Sequence, residues 1–445
     1  MKYLYIQVLF FCSLIISCQT KRIVTATQDA KNILKESNYK NIKIIESSAF
    51  RTGSCEPSIA INPTNPKNIV AGSIIDNYHY SFDGGLTWKS DNLKADLGVF
   101  GDPCLIADNT GVFHYLHLSN PDGRAYASRK FLNTIVLQSS TDGGKSWNRG
   151  VGIGKNEPAQ QDKEWAAIHP KTNQVYVTWT EFDKYGSKDP KHKSRIRFAT
   201  STDQGKSFSE AITINEIDGN AIDDDKTTEG AVPAVDNEGN IFVSWAYDNK
   251  IYFDKSSDNG KTWMQNDLII TEQVGGWTQD IPDIGRCNGM PVTCVDNSDS
   301  KHQGTIYVNW SDQRNGKDNT DIFIIKSTDQ GKTWSKALQV NNDKTKSHQF
   351  FTWMSVDPKT GFIYIVYYDR SSYNNSQTDV VLAISKDGGN SFSNQIISES
   401  SFTPISGIFF GDYNNISAYN GIIRPIWTRY ENGKLSVWTA LIDLE

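Results

Sequence analysis

The chain of 445 residues is short of positive charge, with 45 Lys and Arg against 51 Asp and Glu and a net charge of −6. That excludes a nucleic-acid binder working through a basic face. Cysteine is scarce too, six in all. The spacing of Cys55, Cys104, Cys287 and Cys294 fits no zinc pattern, and no metal or cofactor is expected. The apolar run at residues 4–16 is too short for a comfortable transmembrane helix. What the chain has instead is short alternating segments parted by turn residues, the pattern of an all-β protein. With 38% hydrophobic and 11% aromatic residues it can bury a sizeable core.

Met1-Lys2-Tyr3 and the run behind it read as an export signal. It ends Leu14-Ile15-Ile16-Ser17-Cys18, which resembles the bacterial lipoprotein signal and makes Cys18 the lipidated N-terminus. Gln19 follows where an Asp would specify inner-membrane retention, so an outer-membrane anchor is expected. Residues 19–40 read as a polar tether. An exported protein sits where disulfides persist, so Cys55 with Cys104 and Cys287 with Cys294 are candidate pairs; connectivity stays open.

One pattern recurs six times: Ser-x-Asp-x-Gly-x-Thr-Trp at 327–334, with copies at 81–88, 140–147, 201–208, 256–263 and 385–392. The aspartates, Asp83, Asp142, Asp203, Asp258, Asp329 and Asp387, lie 55 to 71 residues apart, so the chain is an array of supersecondary units. An Asp that accepts backbone N–H groups, a Gly for positive φ and a terminal Trp or Phe anchor make each copy a hairpin turn. These aspartates are structural.

Upstream of each copy stand two more strands. The first include Glu56-Pro57-Ser58-Ile59 and Asp102-Pro103-Cys104-Leu105; the second include Val175-Tyr176-Val177-Thr178-Trp179 and Ile241-Phe242-Val243-Ser244-Trp245. A seventh copy near the C-terminus has three strands and no Asp motif. Residues 41–50 form a spare N-terminal strand. The prediction is one seven-bladed β-propeller over residues 41–445, monomeric, with the N-terminal strand closing the seventh blade and removing an exposed edge.

Loops leading into first strands and loops after second strands share one face, the usual ligand face. They carry Glu56, Asp76, Asp102, Asp162, Glu164, Glu229 and Asp412, and the arginines Arg286, Arg314, Arg370 and Arg429. Guanidinium forks match carboxylate or sulfate, so the four arginines are candidate substrate binders. His117 stands where blades three to five have Trp, a packing position.

The six motifs resemble the Asp-box, or bacterial neuraminidase repeat, of the sialidase superfamily. The resemblance implies a Tyr nucleophile, a Glu partner, an Asp acid/base and three arginines on the substrate carboxylate. Tyr413 in Gly411-Asp412-Tyr413-Asn414 matches the Tyr, Glu229 the Glu and Arg286 one arginine. Asp102 or Asp76 is the candidate acid/base, with Glu164 next. The sequence departs from the family in lacking the arginine that leads into blade one, where Cys55-Glu56-Pro57 stands. It lacks another after the second strand of blade four, and it counts seven blades, not six. The resulting expectation is a sialidase-like glycoside hydrolase acting on acidic glycans at the cell surface. The rivals are a non-catalytic glycan-binding lipoprotein and a polysaccharide lyase acting on uronates.

Overall fold

A single carboxylate organises each Asp box. In the copy at 256–263, Asp258 Oδ1 accepts the Ser256 hydroxyl at 2.8 Å and the Thr262 amide at 2.9 Å, while Oδ2 accepts the Thr262 hydroxyl at 2.6 Å. Ser256 Oγ in turn accepts the Gly260 amide, and Trp263 donates its indole N–H to the Gly260 carbonyl. Hydrogen bonds from Ser/Thr hydroxyls and amides hold Asp203, Asp258 and Asp329 down at about 2. The boxes are turn locks, as the sequence implies.

The computed structural model describes residues 39–47 and 53–444. The expectations for the signal peptide, for Cys18 and for the tether up to residue 38 fall outside the described residues. The rest is seven four-stranded antiparallel blades, the third carrying one short extra strand. Blade one is Ser58–Ile61, Ile69–Ser73, Asn77–Ser81 and Lys89–Asn92. Blade seven takes three strands from the C-terminus, Asn415–Tyr419, Ile422–Glu431 and Lys434–Asp443, and its outermost from Lys40–Glu46. That strand pairs Lys40 with Leu441 and Glu46 with Ser436, so the ring closes as predicted. Asn41 ties the closing strand to blade six, donating to the Ile397 carbonyl and accepting the Glu399 amide.

Adjacent blades are stitched by buried polar contacts. Ser58 Oγ of blade one accepts the Leu105 amide of blade two at 2.9 Å. Arg424 of blade seven donates to the Gly84 carbonyl in the box of blade one at 2.8 Å, which completes the circle. Second strands end in bulk: Trp179, Trp245, Trp310 and Trp427 are fully buried. His117 occupies the corresponding place in blade two. Both its nitrogens are engaged, and burial lowers it to about 4, which fits the packing role.

The candidate disulfides require correction. Cys55, Cys104, Cys287 and Cys294 are all free thiols. Three of the sulfurs face carbonyl oxygens: Cys55 that of Phe409, Cys287 that of Asn288, and Cys294 that of Met354.

Candidate functional site

The chain makes the same bend where it enters five of the seven blades. Glu56, Asp102, Lys163, Gly230 and Phe351 stand at one repeat position and have φ of 50°, 51°, 54°, 77° and 50°. In blades three, four and six the strand pairing shifts register across this residue and the next, a β-bulge. A non-glycine residue held here costs about 1–3 kcal/mol and persists where its surroundings over-determine it. The bend re-aims the chain, and Glu56, Asp102 and Lys163 line one cavity at the channel mouth.

That cavity has a volume of about 350 Å³. Its charged floor is Glu56, Asp102, Asp162, Lys163, Arg286 and Asp412; its rim includes the exposed Ile75, Tyr126 and Phe409. Lys163, 3% exposed, sits 2.6 Å from Asp412 and 3.5 Å from Asp102. Arg286 lies 3.3 Å from Asp412 and 2.9 Å from Asp223. Asp223 also accepts the Tyr185 hydroxyl at 2.6 Å and the Trp277 indole. Beneath the cavity the channel is plugged by aromatic rings, Trp165 and Trp353 meeting 4.2 Å apart and Trp165 lying edge-on to Tyr413.

Carboxyl groups outnumber cations here, and burial sorts them. Against its own burial, the Arg286 and Lys163 charges hold Asp412 below the ordinary carboxylate range. Burial pushes Asp162 up to about 8 against the opposing Lys163 and Arg286 charges, with Asp102 and Asp223 adding smaller upward contributions. Burial, then Asp102 and Asp412, raise Glu56 well above that range, and its carboxyl is hydrogen-bonded to Asp412. At neutral pH the site therefore holds protonated acids, Asp162 and Glu56, beside the ion-paired Asp102. Asp102 keeps 12% of its side chain open.

The expected residues fall into two groups. Asp102 and Arg286 line the cavity; among the described residues Tyr413, Glu229, Glu164 and Asp76 do not. Tyr413 is 4% exposed, and burial raises its phenol well above 10. The carboxyl fields acting on Tyr413 come from Asp102, Glu56 and Glu164; those on Glu229 come from Asp223 and Asp162. Burial holds Glu164 and Glu229 protonated, with no hydrogen-bond partner on any of the four oxygens. Asp76 accepts Asn92 at 2.8 Å.

The four arginines do not converge. Arg314 is fixed to Asp312 and lies over Phe323 at 4.3 Å. Arg429 is fixed to Glu431 and Ser400. Arg370 is buried over Phe350 at 5.0 Å. Only Arg286 of the four reaches the cavity floor. Among the described residues no three His, Cys, Asp or Glu are gathered as a metal site.

Sequence reasoning passed over Lys163, Asp223, Tyr185 and Tyr126, and placed Glu56 and Asp162 on the face without choosing them. Lys163 was readable. In the repeat alignment it takes the position of Glu56 and Asp102, and a lysine there among acids is the signal.

The BNR/Asp-box repeat model matches residues 79–90 and 325–336. No curated protein matches the sequence. Among solved structures the chain is similar to the PL25 ulvan lyase, a polysaccharide lyase. Identity is 12%, with 90% of this chain and 96% of that chain covered and a TM-score of 0.53. It is also similar to the NanB sialidase of Streptococcus pneumoniae, at 10% identity over 84% and 83% of the two chains, TM-score 0.50. At such identity the likeness is one of fold. Repeats and sheet topology make the chain a seven-bladed β-propeller built on BNR/Asp-box repeats.

Proposed function

We propose that the protein is a glycoside hydrolase working at the axial cavity with carboxyl groups of blades one to three. The observation that carries this is that Asp162, whose carboxyl burial pushes up, and the ion-paired, partly open Asp102 line one cavity of about 350 Å³. Glycoside hydrolysis needs this division of labour between two carboxyls. Asp162 gives its proton to the leaving oxygen as the glycosidic C–O bond breaks. Asp102 takes the proton of the attacking water. Ile75, Tyr126 and Phe409 supply an apolar rim against which a sugar ring packs. Lys163 and Arg286 are already neutralised by Asp412, Asp102 and Asp223, so the cavity favours a sugar without an acidic group of its own. A Tyr413–Glu229 nucleophile pair is less well supported, since a buried phenol of raised pKa is a poor nucleophile.

The second reading is a polysaccharide lyase. Tyr185 lines the same cavity, and Asp223 links it to Arg286. In such a reaction a tyrosine takes the proton beside a carboxylate that a guanidinium neutralises; burial raises the Tyr185 phenol as it does that of Tyr413. Location follows the sequence: a lipid anchor at Cys18 in the outer membrane, acting on extracellular or periplasmic glycan.

A turnover screen over neutral, amino, sulfated and uronic-acid glycans tests this. New reducing ends, abolished by Asp102→Asn and kept by Tyr413→Phe, are expected. An unsaturated product absorbing in the near ultraviolet selects the lyase. Loss of turnover in Tyr413→Phe alone restores the sialidase-type mechanism, and binding without turnover of any glycan leaves a lectin-like protein.

A further inference from the structure

A second pocket, of about 390 Å³, opens between blades five and six, lined in part by Pro282, Lys346, His348, Arg370, Tyr373 and Ser376. Its centre is Arg370, 3% exposed. Arg370 Nε donates to the Thr378 hydroxyl at 3.0 Å and Nη1 to the Pro282 carbonyl at 2.7 Å. Nη2 is buried and has no hydrogen-bond partner. Arg286, Arg314 and Arg429 each have a carboxylate against the guanidinium. Among the described residues Arg370 has no ion pair. The Asp283 field reaches it, but that carboxylate accepts the Ser376 hydroxyl. Neutral acceptors orient a guanidinium without balancing its charge, and a desolvated, uncompensated cation is costly to keep. Burial accordingly pulls Arg370 down to about 10.

We propose that this pocket is a subsite for the acidic group, a carboxylate or a sulfate ester, of a saccharide whose neighbouring sugar occupies the axial cavity. Guanidinium forks and such oxyanions match in geometry, and Nη2 is the Arg370 donor to which the protein gives no partner. Lys346 at the surface adds a second positive charge, while the Tyr373 and Ser376 hydroxyls are given to Asp379 and Asp283. His348, whose Nδ1 is engaged by Thr320 Oγ1 at 3.0 Å, completes the wall. The segment leading into blade five joins the two sites, with Pro282 at the outer pocket and Arg286 in the axial cavity. The glycan is therefore acidic, but its acidic group lies beside the cleaved unit rather than on it. This part rests on the glycan reading above; the anion site itself does not.

The test is titration calorimetry of the full chain with inorganic sulfate, with chloride at matched ionic strength as control. One saturable sulfate site is expected in the wild type. Lys346→Ala, at an exposed position, should weaken it several-fold, and Arg370→Gln by about tenfold or more. No binding above the chloride control, or affinity unchanged in both variants, overturns the site. A sulfated oligosaccharide should displace the sulfate and bind more tightly; equal affinity would make it a free-anion site and overturn the saccharide assignment. Because sulfate binding is read without turnover, its failure is distinct from a failure of the hydrolase reading.

Discussion

Lys163 of blade three donates to Asp412, which leads into blade seven, at 2.6 Å. The two blades are not neighbours, so the ion pair spans the propeller axis. With Arg286 of blade five on the same carboxylate, three blades are locked at the channel mouth. The network is both the floor of the cavity and a structural tie, which makes it testable in two currencies.

Lys163→Met should lower the unfolding midpoint substantially, by about 3–5 kcal/mol in stability, because Asp412 loses a partner inside the protein. Adding Asp412→Asn should recover part of that loss. Chemical denaturation of the single and double variants measures it; an additive result would show that the two residues do not interact.

The acid role proposed for Asp162 has a pH signature. The group must be protonated to act, and its pKa stands at about 8, so kcat/KM should fall as pH rises through about 8. Asp162→Asn should remove that limb and cost about 10²–10⁴ in rate. A wild-type alkaline limb that persists unchanged in the variant assigns the acid elsewhere.

Closure of the ring depends on Lys40–Glu46. Asn41→Ala removes the side-chain bonds to the Ile397 carbonyl and from the Glu399 amide and should cost about 1–3 kcal/mol. Deleting residues 39–46 exposes the outer edge of Lys434–Asp443 and should give aggregation or loss of cooperative unfolding, seen by size exclusion and calorimetry.

The boxes should matter at neutral pH and not in strong acid. The folded-state pKa of Asp258 is lowered from 3.8 to about 2, so its contribution is full above about 4 and lost as pH falls through about 2. Asp258→Asn should lower the melting temperature at pH 7, with the difference from wild type closing towards pH 2. A difference that is independent of pH would mean that the charge plays no part.

The proposed lipid anchor is tested by Cys18→Ala. The variant should leave the membrane fraction or stay unprocessed. Normal processing and retention would end the lipoprotein reading.

Blade number, ring closure and the box turns were legible because they rest on local chemistry. Alternation has a period of two, Ser-x-Asp-x-Gly-x-Thr-Trp closes its turn within eight residues, and a strand surplus at one end answers a deficit at the other. The sequence placed Asp102 and Arg286 on the right face for the same reason. It could not say which side chains the positive-φ bends at Glu56, Asp102 and Lys163 turn inward, since such a bend depends on the pairing of neighbouring strands. Nor could it pair Lys163 with Asp412, 249 residues away. The separate fates of Arg286, Arg314, Arg370 and Arg429 were decided by the ring as well. One residue class on one face was divided among an axial ion network, two local carboxylates and one guanidinium left without a counter-ion.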